Sequence, residues 1–237
     1  MRFDGENRKR RYVKLEGKTR LRYAANKLAE LVFPPRLYCA CCGNIIDDTR
    51  TYSLCDHCME HFRWDTGSGI NRGGLRLIRC VSYGIYERSL IFDLKYKGKK
   101  HVARVIAEIM ADKLLSLGLE IDYLVPVPMF KAKEKQRGFN QTKLIADFLS
   151  KELTCEVADY LARTRQTRPM RGLSEEQRAE NIKGSIVLSS DFDGFSKGSK
   201  VAVIDDFYTT GSTARECLSA LEGSGAEEII FLAFASR

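Results

Sequence analysis

The chain has 237 residues, a formal net charge of +8 and a hydrophobic share of 44%. That share supports a packed core and excludes general disorder, and no apolar run reaches the roughly 18 residues of a membrane span. The positive balance suits a ligand or partner rich in phosphate, such as nucleic acid, a nucleotide or a sugar pyrophosphate, although many soluble proteins are basic.

Residues 1–20 read as a solvated basic arm. They hold no apolar stretch, so no secretory leader is expected and the reading is a cytoplasmic protein with reduced thiols. The spacing in 21–33 (LRYAANKLAELVF) predicts a helix that stops before Pro34-Pro35. Residues 36–64 carry paired cysteines, and 65–74 (DTGSGINRGG) read as a linker. From Leu75 the texture changes. A strand is expected over 79–86, helices over 87–96 and 101–117, a buried strand over 121–127 and a helix over 138–151. A short strand around 157–162, a polar segment 163–184 and a strand over 185–189 follow. The apolar strand 200–204 ends in two aspartates, and a helix over 212–223 and a strand over 228–234 close the chain. This alternation implies an α/β domain with a mostly parallel sheet and flanking helices. The expected division is an arm 1–20, a helix and cysteine module 21–64, and an α/β domain 75–237.

Cys39-x2-Cys42 and Cys55-x2-Cys58 form two CxxC knuckles. Two such turns complete a tetrahedral thiolate shell, and a filled shell leaves no open position for substrate, so the zinc would be structural. It would hold together a segment too small for its own core. Cys41 offers an alternative to a first-knuckle ligand, and His57 and His61 are spare ligands nearby. A redox pair or unconnected thiols is the other reading. Cys80, Cys155 and Cys217 are most simply buried core residues.

The sharpest pattern is Val201-Ala-Val-Ile-Asp-Asp-Phe-Tyr-Thr-Thr-Gly-Ser-Thr213. An apolar strand delivers Asp205 and Asp206 to the edge where open α/β sheets bind ligands. A loop of Thr209, Thr210, Gly211, Ser212 and Thr213 leads into a helix, whose first amides and dipole favour an anion. Gly211 lets the backbone approach a phosphate, and the two carboxylates can accept bonds from vicinal ribose hydroxyls. The bland alternative is an acidic turn before a Ser/Thr-capped helix.

This segment resembles the motif of type I phosphoribosyltransferases that binds phosphoribosyl pyrophosphate (PRPP). Residues 33–42 (FPPRLYCACC), 94–98 (LKYKG), 125–128 (VPVP), 137–141 (RGFNQ) and 178–184 (RAENIKG) resemble the ComF/GntX family of competence-related proteins. In that family a small N-terminal zinc ribbon precedes a phosphoribosyltransferase domain. The resemblance implies a pyrophosphate loop at Pro128 and Met129, with Lys131, Lys133 and Arg137 close by, and a Mg²⁺ ion carried with PRPP. Gly138 would open a helix beside this site, with Asn140 and Gln141 as site or capping residues. The segment Arg163–Arg178 would be the loop that closes over PRPP, with Arg163, Arg165 and Arg178 supplying positive charge. The resemblance also implies handling of single-stranded DNA and contacts with DNA-processing proteins. Two other readings stay open. One is a Mg²⁺-dependent transferase with a nucleobase-like acceptor, the other a sensor that binds PRPP or a nucleotide without turnover.

Overall fold

The computed structural model describes residues 37–47, 49–72, 74–168, 172 and 174–237. The expected arm 1–20 and the helix over 21–33 lie outside these residues.

A six-stranded sheet forms the centre. Its strands are β1 (Ile70–Arg72), β2 (Leu75–Ser82), β3 (Tyr123–Pro126), β4 (Glu156–Val157), β7 (Lys200–Tyr208) and β8 (Glu228–Ser236). They lie in the order β1-β2-β8-β7-β3-β4, and only the β1–β2 pair is antiparallel. β5 (Leu161–Arg163) and β6 (Ile186–Leu188) form a separate antiparallel pair. The helices are α1 (Asp56–His61), α2 (Ile85–Tyr96), α3 (Val102–Ser116), α4 (Lys131–Arg137), α5 (Gln141–Leu153), α6 (Glu175–Ile182) and α7 (Ser212–Ala220). The expected mostly parallel sheet with flanking helices is present.

β7 and β8 sit centrally and are buried on both faces, which is why they read as nearly unbroken apolar runs. Alternate residues divide between two cores. Ala202, Ile204, Leu232 and Phe234 face α2, α3 and α5, whereas Val201, Val203, Phe231 and Ala233 face α7 and the β5–β6 pair. α3 is apolar almost all round because it packs on α5, on β2 and β8, and on the turn Thr51–Ser53. Cys39, Ala40, Ile46, Leu54, Cys58 and Phe62 share the α3-side core, so the cysteine segment packs on the α/β layer.

Several expected boundaries shift for identifiable reasons. The linker 65–74 contains β1, and the Lys113 ammonium pins it through the carbonyls of Asp65 (2.6 Å) and Gly67 (2.7 Å). The basic run after β3 is helical, as α4. Gly138, expected to open a helix, instead ends α4 with a left-handed φ of 85°. The next helix starts at Gln141, capped by Asn140, whose side chain accepts from the Thr142 amide. The polar segment 163–184 contains α6, which opens on a Ser174/Gln177 capping box.

Candidate functional site

β7 does not stop at the aspartates. Its ladder with β8 continues through Asp205↔Ala233 to Tyr208↔Ser236, so both carboxylates lie within the strand. The pleat therefore sends these neighbours to opposite sides of the sheet. Asp206 meets Lys95 from the end of α2, with Nζ 2.5 Å from Oδ2. Asp205 lies on the α7 side, where Arg163 and Cys217 interact with it electrostatically. Its Oδ1 accepts from the Asp206 amide at 2.8 Å. Burial and then the adjacent Asp206 charge push the Asp205 carboxyl well above the ordinary carboxylate range. Burial would raise Asp206 too, but the Lys95 ammonium outweighs it and holds this carboxyl low and ionised. The same pairing overcomes the burial of Lys95 and raises its pKa. One carboxylate is thus neutralised by a lysine and the other is poised on the cleft.

After Tyr208 the chain turns through Thr209, Thr210 and Gly211 into α7. Among the described residues, none of the amides from Thr209 to Thr213 has an acceptor; the first helical bond runs from Arg215 N–H to the Gly211 carbonyl at 2.8 Å. The Thr210 and Ser212 hydroxyls lie 3.1 Å apart. Gly211 sits at φ 82°, and a Cβ there would run into the Tyr208 hydroxyl. This loop, Asp205, Phe207, Tyr208, Phe231 and Arg178 line an open cleft. An anion in that cleft would meet unpaired amides at the positive end of a helix.

Arg178 lines the cleft, and further cations stand near the two aspartates on several elements. Pro128 is buried directly beyond β3, and the preceding Val127 carbonyl accepts from Asn140 Nδ2 (3.2 Å) and Thr142 Oγ1 (2.6 Å), which fixes the start of this loop. Met129 follows it, half-buried. Lys131 is exposed at the start of α4. Lys133 and Arg137, one helical turn apart, face the aspartate cluster. Burial, then Arg137, Lys95 and Arg163, lower the Lys133 pKa. Arg137 also donates to Gln141 Oε1 at 2.5 Å. Arg163 donates to Thr167 at 2.9 Å, and burial works against its charge while Cys217 and Asp205 favour it. Arg178 reaches the cleft from α6. Arg165 does not line the cleft and donates to the Lys183 carbonyl at 2.9 Å. Asn181 ties the start of the expected closing loop to α6 through the Arg168 amide and carbonyl, both at 3.0 Å. Residues 169–171 and 173 of that loop lie outside the described residues.

Sequence reasoning missed the Lys95–Asp206 pair, which nothing local in the sequence carries.

In the cysteine module the sulfurs of Cys39, Cys42, Cys55 and Cys58 all lie within 4.8 Å of one another, with Cys42 and Cys55 3.6 Å apart. A tetrahedron of thiolates about 2.3 Å from zinc needs neighbours about 3.8 Å apart, so this group can hold the ion. Burial raises the Cys39 thiol, but the amides of Cys42, Cys55 and Cys41 outweigh it and bring it to about 7. Cys41 stands outside the set: its thiol is directed at the Tyr86 carbonyl, 3.6 Å away, and burial pushes it up to about 11. His57 pairs with the Tyr86 hydroxyl at 3.1 Å, and His61 with the His57 carbonyl at 2.7 Å.

Residues 95–237 match the family described as the phosphoribosyl transferase domain, so the class is that of the type I phosphoribosyltransferase fold. DNA utilization protein YhgH of Escherichia coli is 29% identical over 160 residues, covering 65% of this chain and 69% of that protein. Competence protein F of Haemophilus influenzae is 28% identical over 201 residues, covering 79% and 86%. Competence protein ComFC of Bacillus subtilis is 33% identical over 102 residues, covering 40% and 37%. The chain belongs to the ComF family, with a phosphoribosyltransferase-like domain and a four-cysteine cluster that fits a small zinc ribbon. Among the described residues no helix is long and apolar enough to cross a membrane.

Proposed function

We propose that this protein binds PRPP with Mg²⁺ in the cleft at the end of β7 and handles single-stranded DNA. The observation that carries the first half is the run of unpaired amides from Thr209 to Thr213 beside Asp205. In this reading the amides and the hydroxyls of Thr209, Thr210, Ser212 and Thr213 hold the 5-phosphate. Asp205 accepts from the ribose hydroxyls, and Asp206, kept ionised by Lys95, orders the strand end. The backbone at Pro128 and Met129, with Lys133, Arg137, Arg163 and Arg178 and, further out, Lys131, surrounds the pyrophosphate. Arg165 contributes long-range charge only. Mg²⁺ favours a few carboxylate oxygens plus ligand phosphates, and Asp205 on the cleft fits that donor set. Bound Mg²⁺ would neutralise charge on the pyrophosphate.

Zinc at Cys39, Cys42, Cys55 and Cys58 completes the reading as a structural ion. The second half, DNA handling, is supported by the relatives described as a DNA utilization protein and as competence proteins, and by the net charge of +8.

Calorimetry with PRPP and Mg²⁺ tests the first half. Wild type should bind, and Asp205→Ala/Asp206→Ala should bind far more weakly. Equal binding by the two would remove the assigned role of the carboxylates. Titration of a labelled single strand across a salt series tests the second half, because phosphate contacts are strongest at low salt.

A further inference from the structure

α2 turns one face to solvent that nothing in the fold explains. Its two acids, Glu87 and Asp93, are buried, so the exposed stripe carries no negative charge. At helical spacing that stripe runs Ile85, Arg88, Phe92, Tyr96. Ile85 is 84% exposed, Phe92 43% and Tyr96 68%, an unusual outlay for large apolar side chains. The Phe92 and Tyr96 rings lie 5.0 Å apart at an angle of 42°.

Cations surround these rings. Lys97 Nζ is 5.8 Å from the Phe92 ring centre, and the Arg137 guanidinium is 5.7 Å from that of Tyr96. Lys100 Nζ lies 5.2 Å from the neighbouring Phe139 ring. Lys97 and Lys99 share the single carboxylate of Asp93, which leaves one charge in excess. Among the described residues Lys100 has no carboxylate partner. The ridge leads to the aspartates, because Lys95, next to Tyr96 at the end of α2, pairs with Asp206, and Arg137 at the end of α4 acts on the same carboxylate.

We propose that this ridge is the surface on which single-stranded DNA lies, with unpaired bases stacked on Phe92 and Tyr96 and phosphates held by Lys97 and Lys100. The proposal rests on the DNA-handling reading above and supplies its location. Exposed rings interleaved with cations suit a strand whose bases offer π-faces and whose backbone is anionic. From Ile85 to Tyr96 the helix rises about 16 Å. That accommodates a few nucleotides at roughly 3.4 Å each.

The test uses the full chain and a labelled oligothymidine strand followed by fluorescence anisotropy. Phe92→Ala/Tyr96→Ala should keep its melting temperature and its PRPP binding and lose at least about tenfold in strand affinity. The salt slope should change little, because the phosphate contacts remain, whereas Lys100→Ala should reduce it by about one. Annealing the strand to its complement should weaken binding to wild type, since paired bases cannot stack on the rings. Wild-type affinity in the double variant, or equal affinity for the duplex, overturns the proposal. If wild type binds PRPP but no strand at low salt, both this surface and the DNA-handling reading fall and the PRPP reading stands. If the strand binds and PRPP does not, the ridge is still judged by the ring variant.

Discussion

The Lys95 ammonium reaches across from the end of α2 to within 2.5 Å of the Asp206 carboxylate on β7, which is 3% exposed. It locks the helix to the strand end and removes one of two adjacent negative charges. The result is an asymmetric pair: Asp206 is ionised and structural, and Asp205 is elevated and open to the cleft.

Replacing Lys95 by Met should leave a buried carboxylate uncompensated. The expected loss is about 3 kcal/mol of stability at neutral pH, read by urea unfolding. Adding Asp206→Asn to Lys95→Met should restore part of it. A single variant as stable as wild type would mean that solvent reaches Asp206.

Asp205 makes ligand binding pH-dependent in a definite direction. Its carboxyl is held above the usual range by burial and by Asp206, so in the free protein it retains a proton to higher pH than an ordinary aspartate. Ribose hydroxyls donate to the ionised form, so PRPP binding should release that proton. Affinity should rise with pH until Asp205 is ionised and then level off. Calorimetry in two buffers of different ionisation enthalpy reports the release, and Asp205→Asn should abolish it.

Gly211→Ala combines two penalties, a left-handed φ of 82° and a collision with the Tyr208 hydroxyl. The strain alone is about 1–2 kcal/mol. Displacing the loop should disperse its amides, so PRPP affinity should fall further than thermal stability does. Melting curves with and without PRPP separate the two effects.

The cysteine group yields a ligand-by-ligand test. Cys58→Ser should lose zinc, measured by elemental analysis, and lower the melting temperature of the whole chain, because Cys39, Leu54, Cys58 and Phe62 share a core with α3. Cys41→Ser should keep its zinc, since that thiol is directed at the Tyr86 carbonyl. Loss of zinc from Cys41→Ser alone would reverse the ligand assignment.

Much of this molecule was legible in one dimension, because its signals are local. Val201 to Ile204 announce a strand buried on both faces, and Thr209 to Thr213 announce an amide-rich helix entrance, since burial and phosphate geometry both act over a few neighbouring residues. The paired knuckles at Cys39/Cys42 and Cys55/Cys58 were legible for the same reason. The helix α6 and its capping box at Ser174 and Gln177 were not read from the sequence, because the polar run around them concealed the helix. Other features were not written locally at all. That Asp205 and Asp206 point to opposite sides follows from β7 continuing its ladder with β8 past both residues. That Lys95 neutralises only one of them, that Arg165 donates to the Lys183 carbonyl, and that Cys41 is directed at the Tyr86 carbonyl and not into the sulfur cluster depend on elements distant in sequence. Such pairings are set by how helices and strands stack, and an isolated stretch of chain contains no information about which partner will arrive.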